Sequence, residues 1–235
     1  MFDRANEYNQ MLHEGISLSG ENKHFFIKGR LQELYHQLPE NLRLSRILDF
    51  GCGIGDTSKF LAELFPNADI FGVDISDEAL EYAHQIHGSA RISFYNFYDF
   101  PKIKTVDLCY TNGVFHHIMP EERTEIIAQI SKVLRPGGYF SFFENNPWNP
   151  GTRLVMKRIP FDREAQLLTS LNAKLLLQKG GFSLLKPPRF LFYFPRCLTQ
   201  LRCLEPYLVR FPLGAQYHIL AQKMDNIDSD QKGDL

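Results

Sequence analysis

The sequence predicts an α/β protein built on a doubly wound, largely parallel β-sheet, and three observations support this fold class. Five short apolar segments between residues 46 and 145 alternate with segments that have the pattern of helices. A glycine-rich loop follows the first apolar segment, and an aspartate ends the second. The length of 235 residues is enough for one such domain and a smaller cap.

The predicted strands are short and apolar, and they are spaced along the first two thirds of the chain. They lie at residues 46–50, 69–74, 91–95, 106–112 and 139–145. Helices are expected before and between them, bounded by proline, serine or glycine signals, over residues 23–37, 56–65, 77–88 and 120–135. This alternation predicts helices on both faces of the sheet.

The pattern changes after residue 145. We expect a turn-rich loop, a helix, a proline-interrupted extended segment, a short helix and a last strand, at residues 145–151, 163–179, 182–194, 197–209 and 215–223. The chain is therefore divided into a helical lid or substrate cap (residues 1–45), the α/β domain (46–223) and a disordered acidic tail (224–235).

The charge is nearly balanced over the whole chain but unevenly distributed along it. The net charge of −1 argues against a general nucleic-acid binder. Residues 1–150 hold 13 Lys/Arg and 20 Asp/Glu, whereas residues 151–223 hold 12 Lys/Arg and 3 Asp/Glu. Two interpretations of the basic segment stay open: it binds an anionic partner, or it balances the acidic surface.

The sequence predicts a cytoplasmic protein with reduced thiols. The N-terminus lacks the apolar core of a signal peptide, and no apolar run approaches a membrane span. The four cysteines are Cys52, Cys109, Cys197 and Cys203, and they form no metal-ligand spacing, so we expect no metal. Cys109 lies in an apolar strand and is expected in the core.

The segment ILDFGCGIGDTS at residues 47–58 predicts a cofactor site. Its glycines let the backbone pass close to a ligand at the end of a strand. A dinucleotide fingerprint would need its third glycine at position 56, where this chain has Asp56, and that carboxylate would repel a pyrophosphate. A phosphate-free, positively charged ligand tolerates this acid. Asp74 ends the second strand, where a carboxylate can accept both hydroxyls of a ribose.

Residues 46–144 resemble the class I S-adenosylmethionine-dependent methyltransferases, in particular bacterial methyltransferases of type 11 and type 12. ILDFGCGIGDTS resembles their first motif and FGVDIS the acidic second one, while VDLCYTNGVFHHI and VLRPGGYF are similar to their fourth-strand and fifth-strand signatures. The resemblance implies a Rossmann-like sheet of seven strands in the order 3-2-1-4-5-7-6, with the last strand antiparallel.

The resemblance also implies which residues bind S-adenosylmethionine. The amino acid end of the cofactor is expected at Asp49, Gly51, Cys52, Gly53 and Gly55, the ribose at Asp74 and Ile75, and the methionine side near Asn112 and Gly113. The adenine loop reads NFYDF, and either Asn96 or Asp99 takes the place of the usual acid. Phe97 either stacks on the adenine ring or packs in the core.

Two adjacent histidines follow the fourth strand at the edge of the sheet where ligands bind. His116 or His117 can serve as a general base if the acceptor must lose a proton, and we expect only one of them to face the pocket. The alternative is a histidine that packs the loop. Glu144, at the end of the fifth strand, is the other catalytic candidate. The loop around Trp148 forms an acceptor wall or a rigid surface turn with a buried tryptophan.

Together these features predict a methyltransferase that acts on a small-molecule or lipid- or sugar-linked acceptor and leaves S-adenosylhomocysteine. The alternatives are a macromolecular (RNA or protein) methyltransferase and a non-catalytic partner protein with the same fold. Residues 190–211 mix aromatic residues and arginines, which fits an acceptor tunnel, a peripheral membrane contact, a dimer face or a buried flank of the sheet. A monomer and a homodimer are both compatible with the sequence.

Overall fold

The computed structural model describes residues 15–102, 105–162 and 165–224, which form a central β-sheet with helices on both faces. The helices α1 to α7 span Lys23–Gln37, Asp56–Leu64, Asp77–His87, Arg123–Val133, Pro150–Arg158, Ser170–Lys179 and Glu205–Leu208. The strands β1 to β8 span Arg46–Phe50, Asp69–Asp74, Ile92–Asn96, Val106–Asn112, Leu134–Asn145, Phe182–Leu184, Arg189–Leu191 and Gln216–Lys223.

The described strands pair in the order β3-β2-β1-β4-β5-β8-β6, and β7 also pairs with β8. Strands β1 to β5 are parallel, and β8 lies antiparallel to β5. This confirms the predicted Rossmann-like order, with one strand more than expected. The extended segment 182–194 contributes two strands rather than one, because Pro187 and Pro188 have no N–H group to continue a ladder.

Alternating side chains of the strands form a separate core on each face of the sheet. On one face Leu108 packs in a cluster with residues from α1, α2 and α3. On the other face its neighbour Cys109 packs in a cluster with residues from α4 and α6, which confirms its predicted core position. Both residues are fully buried. The period of two along each strand therefore supplies apolar surface to both helical layers.

Several boundaries differ from the predicted ones after residue 119. Helix α5 begins inside the predicted loop, because Asn149 accepts a hydrogen bond from the Thr152 amide and a proline follows it. Helix α6 begins seven residues later than expected, where Thr169 caps it. Strand β5 begins at Leu134, because the segment expected to end the preceding helix already pairs with β4.

Charged side chains join helix α1 to strands β7 and β8. The Glu33 carboxylate accepts a hydrogen bond from Arg189 Nε on β7 (2.5 Å), and His218 Nδ1 on β8 lies 3.9 Å away. Burial raises the pKa of Glu33, but His218 and Arg189 outweigh it and hold that pKa below its usual value. The described part of the predicted cap thus shares the core of the domain.

The predicted cap and tail are each described only in part. Residues 1–14 of the cap and residues 225–235 of the tail lie outside the described residues. Among the described helices, none has the length and apolar character needed to cross a membrane.

Replacing Glu33 should destabilise the fold. In Glu33→Ala the half-buried Arg189 and the buried His218 lose their acceptor, and leaving the partners of a buried carboxylate unpaired costs about 3 kcal/mol of unfolding free energy. Urea unfolding of the purified protein measures this loss. Glu40→Ala, at an exposed position just beyond α1, is the matched control and should change the unfolding free energy by less than about 0.5 kcal/mol. Equal effects of the two variants would contradict the assigned role of Glu33.

Candidate active site

A large cavity of about 670 Å³ opens at the carboxyl ends of the parallel strands. Its floor contains the loop after β1 and the ends of β4 and β5, and its walls come from α1, α5 and the segment after β7. This edge of a doubly wound sheet, next to the point where the strand order reverses, is where such folds bind ligands. Several phenylalanines form the apolar part of the wall, among them Phe25, Phe26 and Phe192.

The glycine loop has the backbone shape that its sequence predicts. Gly51, Gly53 and Gly55 have φ values of 74°, 51° and 82°, which side-chain-bearing residues rarely adopt. A Cβ at Gly55 would lie 2.7 Å from the Phe94 ring, so this glycine is required by packing. A Cβ at Gly53 would meet nothing within 4 Å, and Gly53 lines the cavity. Gly53 is therefore the point of the loop that a ligand can approach.

Asp74 joins the end of β2 to this loop. Its Oδ2 accepts a hydrogen bond from the Gly53 amide (2.8 Å), and its Oδ1 accepts one from the Ser76 amide (3.1 Å). Ser76 in turn caps α3 by accepting from the Ala79 amide. Ile75, the next residue of the predicted ribose site, is 60% exposed. Neither Asp74 nor Ile75 is part of the cavity wall itself, but both border the loop that is.

The residues predicted to contact adenine lie beside Asp74 but outside the cavity wall. Asn96 accepts from the Tyr98 amide and donates its own amide to Asp77 (2.7 Å). Phe97 packs at the edge of a buried core cluster, with its ring 6.1 Å from that of Phe50. Asp99 is half-buried in the 3₁₀ turn that follows β3. The structure brings these residues to one side of the loop.

Two buried ionisable groups, one acidic and one basic, lie at the floor of the cavity. The Asp49 carboxylate is 2% exposed and accepts a hydrogen bond from Ser58 Oγ (2.6 Å). Burial raises the pKa of Asp49 to about 7. Arg30 of α1 donates to Tyr110 Oη (3.2 Å) and to Gln216 Oε1 (3.1 Å). Arg30 has no local sequence signal, because only the packing of α1 on the sheet brings it to the cavity.

The predicted histidines and Glu144 come together, although in different roles. His116 and His117 both line the cavity, with ring centroids 4.1 Å apart, so the expectation that one of them faces the pocket was wrong. They belong to a turn, not a strand, and their side chains therefore do not alternate. Glu144 is fully buried behind them and outside the cavity wall; its Oε2 accepts from His116 Nδ1 (2.7 Å).

A carboxylate that sequence reasoning missed completes this group. Asp162, in the 3₁₀ turn Pro160–Asp162, lies 3.4 Å from His116 Nε2 and 3.3 Å from His117 Nε2. Burial opposes a charged imidazole, but Glu144 and Asp162 outweigh it and raise the pKa of His116 to about 10. The same histidines hold the pKa of Asp162 below its usual value against the effect of burial.

The loop after β5 contributes to the wall through its asparagines. Asn145 and Asn149 line the cavity. Asn146 is buried and donates to the carbonyl oxygens of Pro212 and Gly214, which fixes the turn. Trp148 is 52% exposed, so the expected turn with a buried tryptophan is wrong, because the ring projects outward from the loop.

Comparison with known proteins decides the family. Residues 48–140 match the model of the methyltransferase domain family. The chain is 30% identical over 171 residues to the uncharacterized methyltransferase sll0829 of Synechocystis sp., a match that covers 66% of this chain and 76% of the relative. The chain belongs to the S-adenosylmethionine-dependent methyltransferases. The predicted enzyme class and cofactor are thereby confirmed.

Other methyltransferases match less of their own length or share less sequence. Trans-aconitate 2-methyltransferase of Variovorax paradoxus is 29% identical over 161 residues, which covers 66% of this chain but 61% of the relative. The crystal structure of a methyltransferase from Archaeoglobus fulgidus superposes with a TM-score of 0.65 over 86% of this chain and 95% of its own, at 18% identity. This structural likeness shows the shared fold.

The raised pKa of Asp49 predicts a pH dependence of stability. An unfolded aspartate ionises near about pH 4, whereas the folded one keeps its proton up to about pH 7. The folded state thus binds the extra proton in this window, and the Asp49 contribution to stability falls as pH rises. Asp49→Asn removes this loss, so the variant should gain unfolding free energy relative to wild type from pH 4 to 7 and then stay level.

The measurement is urea unfolding of both proteins in the absence of cofactor at closely spaced pH values. Ser58→Ala provides a matched variant, because it removes the hydrogen bond that lowers the pKa of Asp49. It should move the upper end of the window to higher pH. A constant difference between Asp49→Asn and wild type at every pH would contradict the raised pKa.

Proposed function

We propose that this methyltransferase transfers a methyl group to a small-molecule acceptor that enters the cavity between α1 and the segment after β7. The observation that carries the proposal is the continuity of one cavity from the glycine loop to the His116 and His117 side chains. A volume of about 670 Å³ lies within the range typical of small-ligand sites. Trans-aconitate 2-methyltransferase, a relative, is named for a small molecule.

The residues of the cavity floor fit the methionine part of the cofactor. The side chains of Asp49 and Arg30 offer one anionic and one cationic group to an α-amino acid, which carries both charges. Gly53 leaves open space beside them, and Asp74 borders the same loop with two carboxylate oxygens for the ribose. When bound, S-adenosylmethionine supplies a methyl group on a cationic sulfur, and S-adenosylhomocysteine remains.

The contribution of the chain to the reaction is alignment and exclusion of water. Phe25, Phe26 and Phe192 form adjoining walls, with ring centroids 5.0 Å apart for the Phe26–Phe192 pair. Apolar walls of this kind favour a small or slender acceptor over the surface of a folded macromolecule. An acceptor linked to a lipid or sugar can still present its reactive end through the opening. We therefore prefer this class to an RNA or protein acceptor.

The first experiment is isothermal titration of the purified protein with S-adenosylmethionine, S-adenosylhomocysteine and NADH in parallel. We expect the first two to bind in the micromolar range and NADH not to bind. Transfer of labelled methyl groups from the cofactor is then screened over small carboxylic acids, hydroxyl compounds, lipid-linked sugars and bulk RNA. Labelling of RNA alone would contradict the small-acceptor proposal, and NADH binding would contradict the cofactor assignment.

Removing the carboxylate of Asp74 should weaken cofactor binding. Asp74→Asn keeps the side-chain volume but loses the charge that strengthens hydrogen bonds to ribose hydroxyls, so the Kd of S-adenosylhomocysteine should rise about 10- to 100-fold. Asp69→Asn is the matched control, because Asp69 lies at the exposed, opposite end of the same strand. The titration should give the wild-type Kd for this control. A wild-type Kd for Asp74→Asn would remove Asp74 from the site.

Arg30 should matter only for ligands that carry a carboxylate. Arg30→Ala is expected to raise the Kd of S-adenosylhomocysteine by about 10-fold or more, because a charged hydrogen-bond donor is lost. Binding of methylthioadenosine, which has no carboxylate, should change little. Tyr110→Phe removes one hydrogen-bond acceptor of Arg30 but keeps the charge of Arg30, so it should raise the Kd of S-adenosylhomocysteine less than Arg30→Ala does. Equal losses for both ligands in Arg30→Ala would contradict the assignment.

A further inference from the structure

Three potential metal ligands converge at one end of the cavity. One potential ligand atom from each of His116, His117 and Asp162 lies within 4.8 Å of the other two, and all three residues line the cavity. The two histidines come from the turn after β4, and Asp162 comes from a 3₁₀ turn 45 residues later in the chain. Two adjacent histidines are not a recognised metal-ligand spacing in a sequence. The carboxylate of Asp162 reaches them only in the folded chain.

The two distances from Asp162 to the histidines fit a shared ion better than direct hydrogen bonds. Asp162 Oδ1 is buried and accepts no hydrogen bond of good geometry from the described residues. Its distances of 3.4 and 3.3 Å to the two Nε2 atoms exceed those of charge-assisted hydrogen bonds, which are about 2.7–2.9 Å. Ligand atoms at the corners of a tetrahedral zinc site with bonds of about 2.0–2.1 Å stand about 3.3–3.4 Å apart.

Glu144 supplies the support that a metal-binding histidine needs. Its Oε2 accepts from His116 Nδ1 (2.7 Å) and from the Asn145 amide (3.0 Å), while its Oε1 accepts from the Phe115 amide (2.9 Å). A metal ion that binds His116 Nε2 displaces the proton there to solvent, while the proton on Nδ1 stays in the hydrogen bond to Glu144. Carboxylate-bound histidines of this kind are typical of metal sites, where the partner fixes the ring and its tautomer.

We propose that His116, His117 and Asp162 bind a divalent transition-metal ion, with Zn²⁺ the best match, at the acceptor end of the cavity. Two imidazoles and one carboxylate are ligands that zinc prefers, and three protein ligands leave a fourth position open. Because all three residues line the cavity, an oxygen of the acceptor can reach that position. The assignment to the acceptor rests on the proposed function, and it selects acceptors with a carboxylate or hydroxyl group.

Metal binding is tested directly on the full chain after removal of metals with a chelator. Isothermal titration with Zn²⁺ should give one site per chain, and titration with Co²⁺ should give the intense visible absorption of a four-coordinate ion. Asp162→Asn and His117→Ala should each weaken Zn²⁺ binding at least 100-fold. Glu144→Gln, which acts through His116, should weaken it about 10- to 100-fold.

His36→Ala is the control for adventitious binding, because His36 is exposed on α1, away from the cavity. It should bind Zn²⁺ like wild type. The proposal is overturned if wild type binds no more Zn²⁺ than Asp162→Asn, if His36→Ala loses the site, or if Co²⁺ stays six-coordinate.

Titration with S-adenosylhomocysteine separates this proposal from the proposed function. The Asp162→Asn variant should keep the wild-type Kd for S-adenosylhomocysteine, which also shows that it is folded. Cofactor binding without Zn²⁺ binding in wild type would remove the metal and leave the function. Zn²⁺ binding at the cluster without cofactor binding would contradict the proposed function and leave the metal site.

Discussion

The site depends on the sharp turn that the chain makes between β1 and α2. The amides of Gly51 and Cys52 both donate to the carbonyl oxygen of Val73 on β2, at 2.8 and 3.0 Å, so the loop is tied to its neighbouring strand. This turn needs positive φ angles and close packing, which glycine alone combines without strain. With the loop held there, Gly53 opens to the cavity and Asp74 meets its amide.

Buried charge is the second constraint, because each ionised group removed from water must find a partner. Glu144 satisfies this through two backbone amides and His116, and Glu33 does so through Arg189 and His218. Asp49 has a raised pKa at the cavity floor, so the cationic end of a ligand can offset the cost of ionising it. The cavity floor therefore favours the binding of a positively charged cofactor.

The sequence predicted what local chemistry determines and missed what long-range packing creates. Strand β1, the glycine loop and Asp74 follow from apolar runs and turn residues, and the structure places them as expected. Arg30 and Asp162 have no local signal, since α1 and the turn after α5 bring them to the cavity from distant parts of the chain. Helix α5 was missed because its asparagine and proline signals also occur in loops.

The central claim is that the cofactor binds along the glycine loop, with its ribose at Asp74 beside the cavity and its sulfur inside the cavity, directed toward the histidines. A crystal structure of the protein with S-adenosylhomocysteine tests this most directly. We predict the ribose hydroxyls within hydrogen-bond distance of Asp74, the amino acid end between Asp49 and Arg30, and the sulfur on the His116 side of the cavity. A ligand bound elsewhere, or with its adenine at Arg30, would contradict the account.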